Sequence, residues 1–358
     1  MRIAQVSPLW ERVPPPAYGG IELVVGLLTD ELVRRGHDVT LFASGDSESL
    51  AKLEAVHPRA VRLDAKIKDY SIYEALQLSH VYQRAGEFDL IHSHMGHPAL
   101  PYAKLVKTPT VHTLHGIFTP DNVKLYRHAK EQPYIGISNS QVDSHADLNC
   151  VATVYNAIDV NRHLFFPEPD EPSYLAFLGR LSPEKGPHHA IEIAKQTGIP
   201  LKMAGKVDPV DVEYFESEIK PHIDGELIQY LGEADHYQKN QLMGRAIATL
   251  FPITWKEPFG LVMIESMAAG TPVVAMRMGS TPEIISSGKT GYLCDTVDEC
   301  VEAVKSIGKI DRQTCRDRVA AHFSVANMAD GYENVYRKLV EQRASKNGHS
   351  RGVLQLVS

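Results

Sequence analysis

At 358 residues the chain exceeds the roughly 250–300 residues at which a single hydrophobic core stops growing, so two domains are expected. Apolar residues at 43% and charged residues at 23% exclude wholesale disorder and a collagen-like repeat, and four scattered cysteines without a CxxC pair exclude a disulfide framework and a thiolate zinc site. The balance of 37 Lys and Arg against 44 Asp and Glu, −7 overall, supplies no basic surface for nucleic acid.

The N-terminus, MRIAQVSPLWERVPPP, lacks the apolar stretch of a signal peptide, and no window holds the 18 or so apolar residues of a membrane span. A cytoplasmic protein with no transmembrane segment is the expectation. Residues 51–86 mix Lys52, Arg59, Arg62, Lys66, Lys68 and Arg84 with acidic side chains. That is a weak lure for anionic lipid and leaves peripheral membrane association as the lesser alternative.

In chain order, Arg2–Val6 reads as a strand stopped by Ser7-Pro8. A Pro-rich loop reaches Tyr18-Gly19-Gly20. From Ile21, apolar residues recur at helical spacing until Gly36, and Asp38–Ala43 reads as the next strand. Such a strand–helix–strand unit fits the crossover that a parallel sheet needs. Leu90-Ile91, Thr110–Leu114, Tyr134–Ser138 and Val151–Tyr155 read as further strands. Phe166–Pro172 is acidic, carries three prolines and reads as a linker. A second series follows. Strands are predicted at 174–178, 201–204, 228–231, 248–251 and 272–275, and helices at 187–197, 211–222, 237–245, 261–269, near 297–307 and at 326–342. The polar end, 343–358, reads as a flexible tail. Two βα series in succession predict an α/β chain of two doubly wound, Rossmann-like domains, with ligands taken at the carboxyl ends of strands in the cleft between them.

Four stretches carry chemistry. WKEPFGLVMIESMAAGTPVVA (255–275) follows an apolar strand. Gly260 permits close backbone approach, and the N–H groups of Gly260, Leu261 and Val262 open a helix, a ready anion site. Glu257 before the turn and Glu265 within the helix would accept hydrogen bonds from hydroxyls on either side of a phosphate. That suits a sugar at one end of a diphosphate and a ribose at the other. In FLGRLSPEKG (177–186), Arg180 and Lys185 stand five residues apart at a strand's end, where two cations would neutralise a diphosphate. Gly19-Gly20 opens the first helix and admits an anion, but no GxGxxG fingerprint is present. His92, His94, His97, His112 and His115 crowd one region. No carboxylate stands near them at metal-ligand spacing, so polar rings lining a cleft are preferred to a metal site. His115, at a strand end before Gly116, would bond a sugar hydroxyl or a leaving-group oxygen.

EPFGLVMIE, with Glu257 and Glu265 in an E-x7-E spacing, together with GRLSPEKG, YGGIE, TLHG and VYNAID, resembles the retaining glycosyltransferases of family 4, which have the GT-B fold. The resemblance runs in order from about residue 2 to about residue 340. It implies that residues 1–165 form an acceptor-side domain and 173–325 a nucleotide-sugar domain, with the helix at 326–342 packing back on the first. It implies that Gly19 and Gly20 contact the donor phosphates across the cleft, that Arg180 and Lys185 neutralise the leaving diphosphate, and that Glu257 binds donor-sugar hydroxyls. The backbone of Phe259, Gly260, Leu261 and Val262 would hold sugar and phosphate, Glu265 the ribose, and His115 would lie by the sugar's 6-position. Gly279 and Glu283 match the family's next helix start, whereas Asn156-Ala157 departs from its commoner Asn-Gly. The expected reaction is retaining, metal-independent transfer of a hexose from a UDP- or GDP-sugar to an acceptor hydroxyl, with no cofactor and with His115, Arg180, Lys185 and Glu257 in catalytic roles. A sugar, a glycan, a small molecule or a lipid-linked compound would each serve as acceptor. The alternatives are a sugar-nucleotide epimerase or phosphorylase on the same fold, a non-catalytic nucleotide-sugar-binding protein, and a metal hydrolase built on the histidines.

Overall fold

The computed structural model describes residues 1–17 and 19–353. It divides into two units, Met1–Asn156 together with the segment from Val325, and Ala157–Ser324.

Among the described residues of the first unit, seven strands form one parallel sheet: β1 (Arg2–Val6), β2 (Asp38–Phe42), β3 (Lys52–Glu54), β4 (Leu90–Ser93), β5 (Thr110–Leu114), β6 (Tyr134–Gly136) and β7 (Cys150–Thr153). Their order is β3-β2-β1-β4-β5-β6-β7. β4 and β5 are buried along their whole length, as central strands covered on both faces must be. Helix α1 (Gly20–Arg34) turns Val24, Val25, Leu28 and Leu32 inward, and Val25 meets Val13, Leu41 and Ala43. Helix α2 (Ser71–Gln83) covers another part of the sheet with Leu78 and Val81.

The second unit holds a six-stranded parallel sheet: β8 (Leu175–Leu178), β9 (Leu201–Ala204), β10 (Ile228–Tyr230), β11 (Ala248–Phe251), β12 (Val273–Met276) and β13 (Gly291–Cys294), in the order β10-β9-β8-β11-β12-β13. Helix α3 (Pro187–Thr197) follows β8, α4 (His236–Gly244) follows β10 and α5 (Leu261–Ala268) follows β11. Each unit is thus doubly wound, as the alternating pattern predicted.

Several elements differ from the sequence reading. The stretch read as a linker is bound into the second unit. Phe166 donates its N–H to Ala269 O, and Arg312 donates to Phe166 O at 2.8 Å, Ala246 O at 2.9 Å and Thr271 Oγ1 at 2.5 Å. Arg316 adds bonds to Val160 O and His163 O. Both arginines sit on helix α6 (Arg312–His322), which the sequence reading missed because its polar side chains work inward as donors. The predicted helix at 211–222 is broken into short α, π and 3-10 pieces up to Lys220-Pro221-His222. The last helix, α7 (Val325–Val353), belongs to the first unit. It lies against α1, where Glu333 accepts from Arg35 at 2.7 Å and pairs with His37 at 2.6 Å. Residues 343–353, read as part of a flexible tail, continue this helix, and 354–358 lie outside the described residues. No helix among the described residues is long and apolar enough to cross a membrane.

Candidate functional site

In a doubly wound sheet, the loops after two neighbouring strands part where the strand order reverses, and ligands bind there. In the second unit these strands are β8 and β11. The loop after β8 carries Arg180 and Lys185, and the loop after β11 carries Trp255, Glu257, Phe259 and Gly260. Thr254 binds the two loops together, donating its N–H to Glu184 O at 3.0 Å and its hydroxyl to Pro183 O at 3.1 Å. Gly186 closes the first loop with φ +71°, and a Cβ there would stand 2.0 Å from Pro252 O, so only glycine fits.

The loops meet in an ion pair. Lys185 Nζ donates to Glu257 Oε2 at 2.5 Å, and Trp255 Nε1 donates to the same oxygen at 2.8 Å. The ammonium also lies 4.7 Å from the centre of the Trp255 ring. Glu257 is buried and Lys185 half-buried, so a cation and a carboxylate are held ready in a partly desolvated place. The Glu257 backbone is fixed from behind. Its carbonyl accepts from Ser280 N at 3.0 Å, while Ser280 Oγ donates to Phe259 O at 2.6 Å. Gly279, with φ +61°, leaves room for this, since its Cβ would fall 2.4 Å from Glu257 O.

Arg180 is held apart from that pair by carboxylates of its own, Glu184 at 2.6 Å and Asp208 at 3.4 Å, and Lys206 also binds Asp208 at 2.7 Å. Gly260 caps α5 without a side chain to occupy its first N–H groups, those of Leu261 and Val262, which have no acceptor within the helix. One turn on, Glu265 is buried and accepts from Lys239 Nζ of α4 at 3.0 Å. Burial pushes its pKa up, but the charges of Lys239 and His163 outweigh this and hold the carboxyl below its usual range. The site thus alternates cation, carboxylate, helix terminus and carboxylate, an arrangement able to bind a molecule with hydroxyls on either side of a phosphate. The sequence reading gave no role to Trp255, Lys239, Asp208 or Lys206. Trp255, two residues before Glu257 in a chain with two tryptophans, was the most readable of them.

In the first unit the order reverses between β1 and β4. Gly19 is the N-cap of α1, and Gly20 its first residue; Tyr18, the start of that motif, lies outside the described residues. Behind this turn Glu22 is buried, accepts weakly from Glu11 N at 3.4 Å and, through burial, has its pKa raised to about 7. Glu11 in turn pairs with Arg62.

His94 follows β4 and His115 follows β5, and both line a cavity of about 200 Å³ with Pro8, Ile21, Leu114 and Phe118. His94 Nδ1 and His115 Nε2 are 2.8 Å apart. Burial pushes the His115 pKa down to about 3, so its ring is neutral. Among the described residues no three His, Cys, Asp or Glu side chains gather as a metal site would. His92 and His94 bond instead to Tyr336, Thr113 and Gln5, and His112 is buried beside Tyr134.

Residues 18–162 match the model of Glycosyltransferase Family 4, and residues 163–319 match that of Glycosyl transferases group 1. The chain is 27% identical over 396 aligned positions to a glycogen synthase of Mycobacterium tuberculosis, covering 94% of each chain. Among solved structures it is similar to AviGT4, a glycosyltransferase involved in avilamycin A biosynthesis, with 24% identity, a TM-score of 0.72 and coverage of 95% of this chain and 98% of that one. It is also similar to Anabaena Alr3699/HepE, solved in complex with UDP and glucose, with 18% identity, a TM-score of 0.74 and coverage of 94% and 100%.

Proposed function

The chain belongs to the family 4 glycosyltransferases of GT-B fold, and from that premise we propose that it moves a hexose from a UDP- or GDP-sugar to an acceptor hydroxyl, with retention and without a metal ion. The observation that carries this reading is the Lys185–Glu257–Trp255 cluster at the switch point of the second sheet, beside the open N-terminus of α5.

Breaking a sugar–phosphate bond builds positive charge on the sugar and negative charge on the departing diphosphate. Lys185, Arg180 and the N–H groups of Leu261 and Val262 would meet the negative charge. They are fixed before the reaction, so little reorganisation is needed as charge develops. These groups would do the work that a divalent ion does elsewhere. Glu257 plays two parts here. It holds Lys185 in place, and its second oxygen would accept from hydroxyls of the donor sugar. Glu265, kept ionised by Lys239, would accept from the ribose. Gly19 and Gly20 would approach the donor phosphates and His115 the sugar. No carboxylate is nominated as nucleophile. The leaving oxygen itself would take the acceptor's proton on the face from which it departs. The reaction would run in the cytoplasm, on a sugar, glycan, small molecule or lipid-linked acceptor.

The UDP and glucose bound by Alr3699/HepE support a nucleotide-sugar donor. The test is a screen of UDP-, GDP- and ADP-sugars for slow hydrolysis and for a rise in melting temperature. One donor class should be hydrolysed, with no loss of rate in EDTA. Binding without hydrolysis or transfer would favour a non-catalytic nucleotide-sugar-binding protein, and loss of activity in EDTA would remove the metal-free reading.

A further inference from the structure

A chain of hydrogen bonds runs from the cavity of the first unit into its interior. His115 Nε2 lies 2.8 Å from His94 Nδ1, and His94 Nε2 lies 3.0 Å from Gln5 Oε1. Gln5 Nε2 donates to Tyr336 OH at 3.1 Å, and Tyr336 OH lies 2.6 Å from His92 Nδ1. His92 Nε2 then meets Thr113 Oγ1 at 2.7 Å, and Thr113 meets Tyr332 OH at 3.1 Å. Gln5, His92, Thr113, Tyr332 and Tyr336 are wholly buried and His94 nearly so, which places the chain between β1, β4, β5 and α7, away from solvent. The ion pairs at Lys185 and Glu265 belong to the other unit, and the proposed chemistry uses none of these residues but His115.

Such a chain has a direction. A neutral imidazole has one N–H and one lone pair, so a donor on one side forces an acceptor on the other. Burial depresses the pKa of His92, His94 and His115, which keeps each ring neutral. Two directions are then self-consistent, and they differ in which way the Gln5 amide faces; in the structure its oxygen, which can only accept, faces His94, and its nitrogen, which can only donate, faces Tyr336. With Oε1 towards His94, His94 must donate from Nε2. Its Nδ1 is then a lone pair that needs a donor, which His115 Nε2–H supplies. On the other side Tyr336 OH accepts from the amide N–H and donates to His92 Nδ1, and His92 donates from Nε2–H to Thr113 Oγ1.

We propose that Gln5, acting through His94, is the positioning residue that holds His115 in its Nε2–H tautomer, so that Nδ1 faces substrate as an acceptor for a sugar hydroxyl. The role rests on the proposed glycosyl transfer; the tautomer does not. Removing a group that fixes an imidazole's tautomer costs turnover although the ring remains.

The test is nitrogen NMR of the full chain labelled at histidine, which reports the tautomer without any reaction, together with kinetics of Gln5→Met and Gln5→Glu. The wild type should give His115 as a single Nε2–H tautomer. Gln5→Met should give a mixture and lower kcat at least about tenfold, with donor KM within about twofold. Gln5→Glu, which keeps an acceptor towards His94, should retain both the tautomer and most of the turnover. An Nδ1–H tautomer in the wild type would overturn the proposal. So would a Gln5→Met protein with unchanged tautomer and kcat. If Gln5→Met does not fold, the wild-type spectrum and Gln5→Glu still decide. A clean Nε2–H spectrum in a protein that turns over no sugar nucleotide would leave the positioning intact and remove the glycosyl-transfer reading.

Discussion

Lys185 and Glu257 are 72 positions apart in the chain, yet their side chains form one half-buried ion pair. With Lys185 removed, the Glu257 carboxylate keeps Trp255 alone among the described side chains, and on the proposed mechanism the leaving diphosphate would lose a point charge. Lys185→Ala is therefore expected to lower kcat by about 10²–10³-fold, the scale of losing one preorganised donor, while the circular-dichroism spectrum stays that of the wild type. Glu22 makes a separate prediction. Burial raises its pKa from 4.5 to about 7, so between those values the folded state holds a proton that the unfolded chain has released. This contribution is complete below about pH 4.5 and fades as pH rises through 7. Glu22→Gln, neutral at every pH, should melt at the wild-type temperature at pH 4 and several degrees higher at pH 8. Equal melting temperatures at pH 8 would mean that Glu22 ionises there without penalty. The E-x7-E spacing of Glu257 and Glu265 was legible because both lie on one short turn and helix. Lys239 and Trp255 were not, since a single cation on α4 or an indole in a loop gives no periodic signal.

The elements that position the site are turns more than helices. Gly279 packs against the peptide of Glu257, and Ser280 donates its N–H to Glu257 O and its hydroxyl to Phe259 O, so the loop after β12 acts as a wall behind the loop after β11. Gly279→Ala has both a steric clash and a positive φ against it. It is expected to cost about 1–3 kcal/mol in urea unfolding and to weaken donor binding, whereas a change of stability alone would separate this wall from the site. The buried strands were readable as short runs rich in apolar and β-branched residues. β3 was not, because it has three residues and its first is exposed, and neither was β13, whose Gly-Tyr-Leu-Cys is short and carries no run. Helix α6 escaped notice for a different reason. A stripe of apolar residues marks a helix that packs by burial, and this one packs largely through the guanidinium groups of Arg312 and Arg316.

Two units, each with its own parallel sheet, follow from chain length and from the alternation of strands and helices. The net charge of −7 gives no hint of the proposed phosphate site, because the cations around it, Arg180, Lys185, Lys206 and Lys239, are each already matched with a carboxylate. A bound diphosphate would compete for these cations, so the site is poised through local pairing and bulk charge is silent about it. Binding of a nucleoside diphosphate at 100 times its Kd should add about 2.7 kcal/mol to the stability of the unit that holds it. The proposed reaction is transfer from a nucleotide sugar with its configuration kept. Proton NMR followed in real time, with the chain, each sugar nucleotide and a panel of hydroxyl acceptors, tests it most directly. One donor is expected to be consumed, a nucleoside diphosphate to accumulate, and the new glycoside to have the anomeric configuration of the donor. A product of opposite configuration, or no donor consumed in the presence of any acceptor, would contradict it.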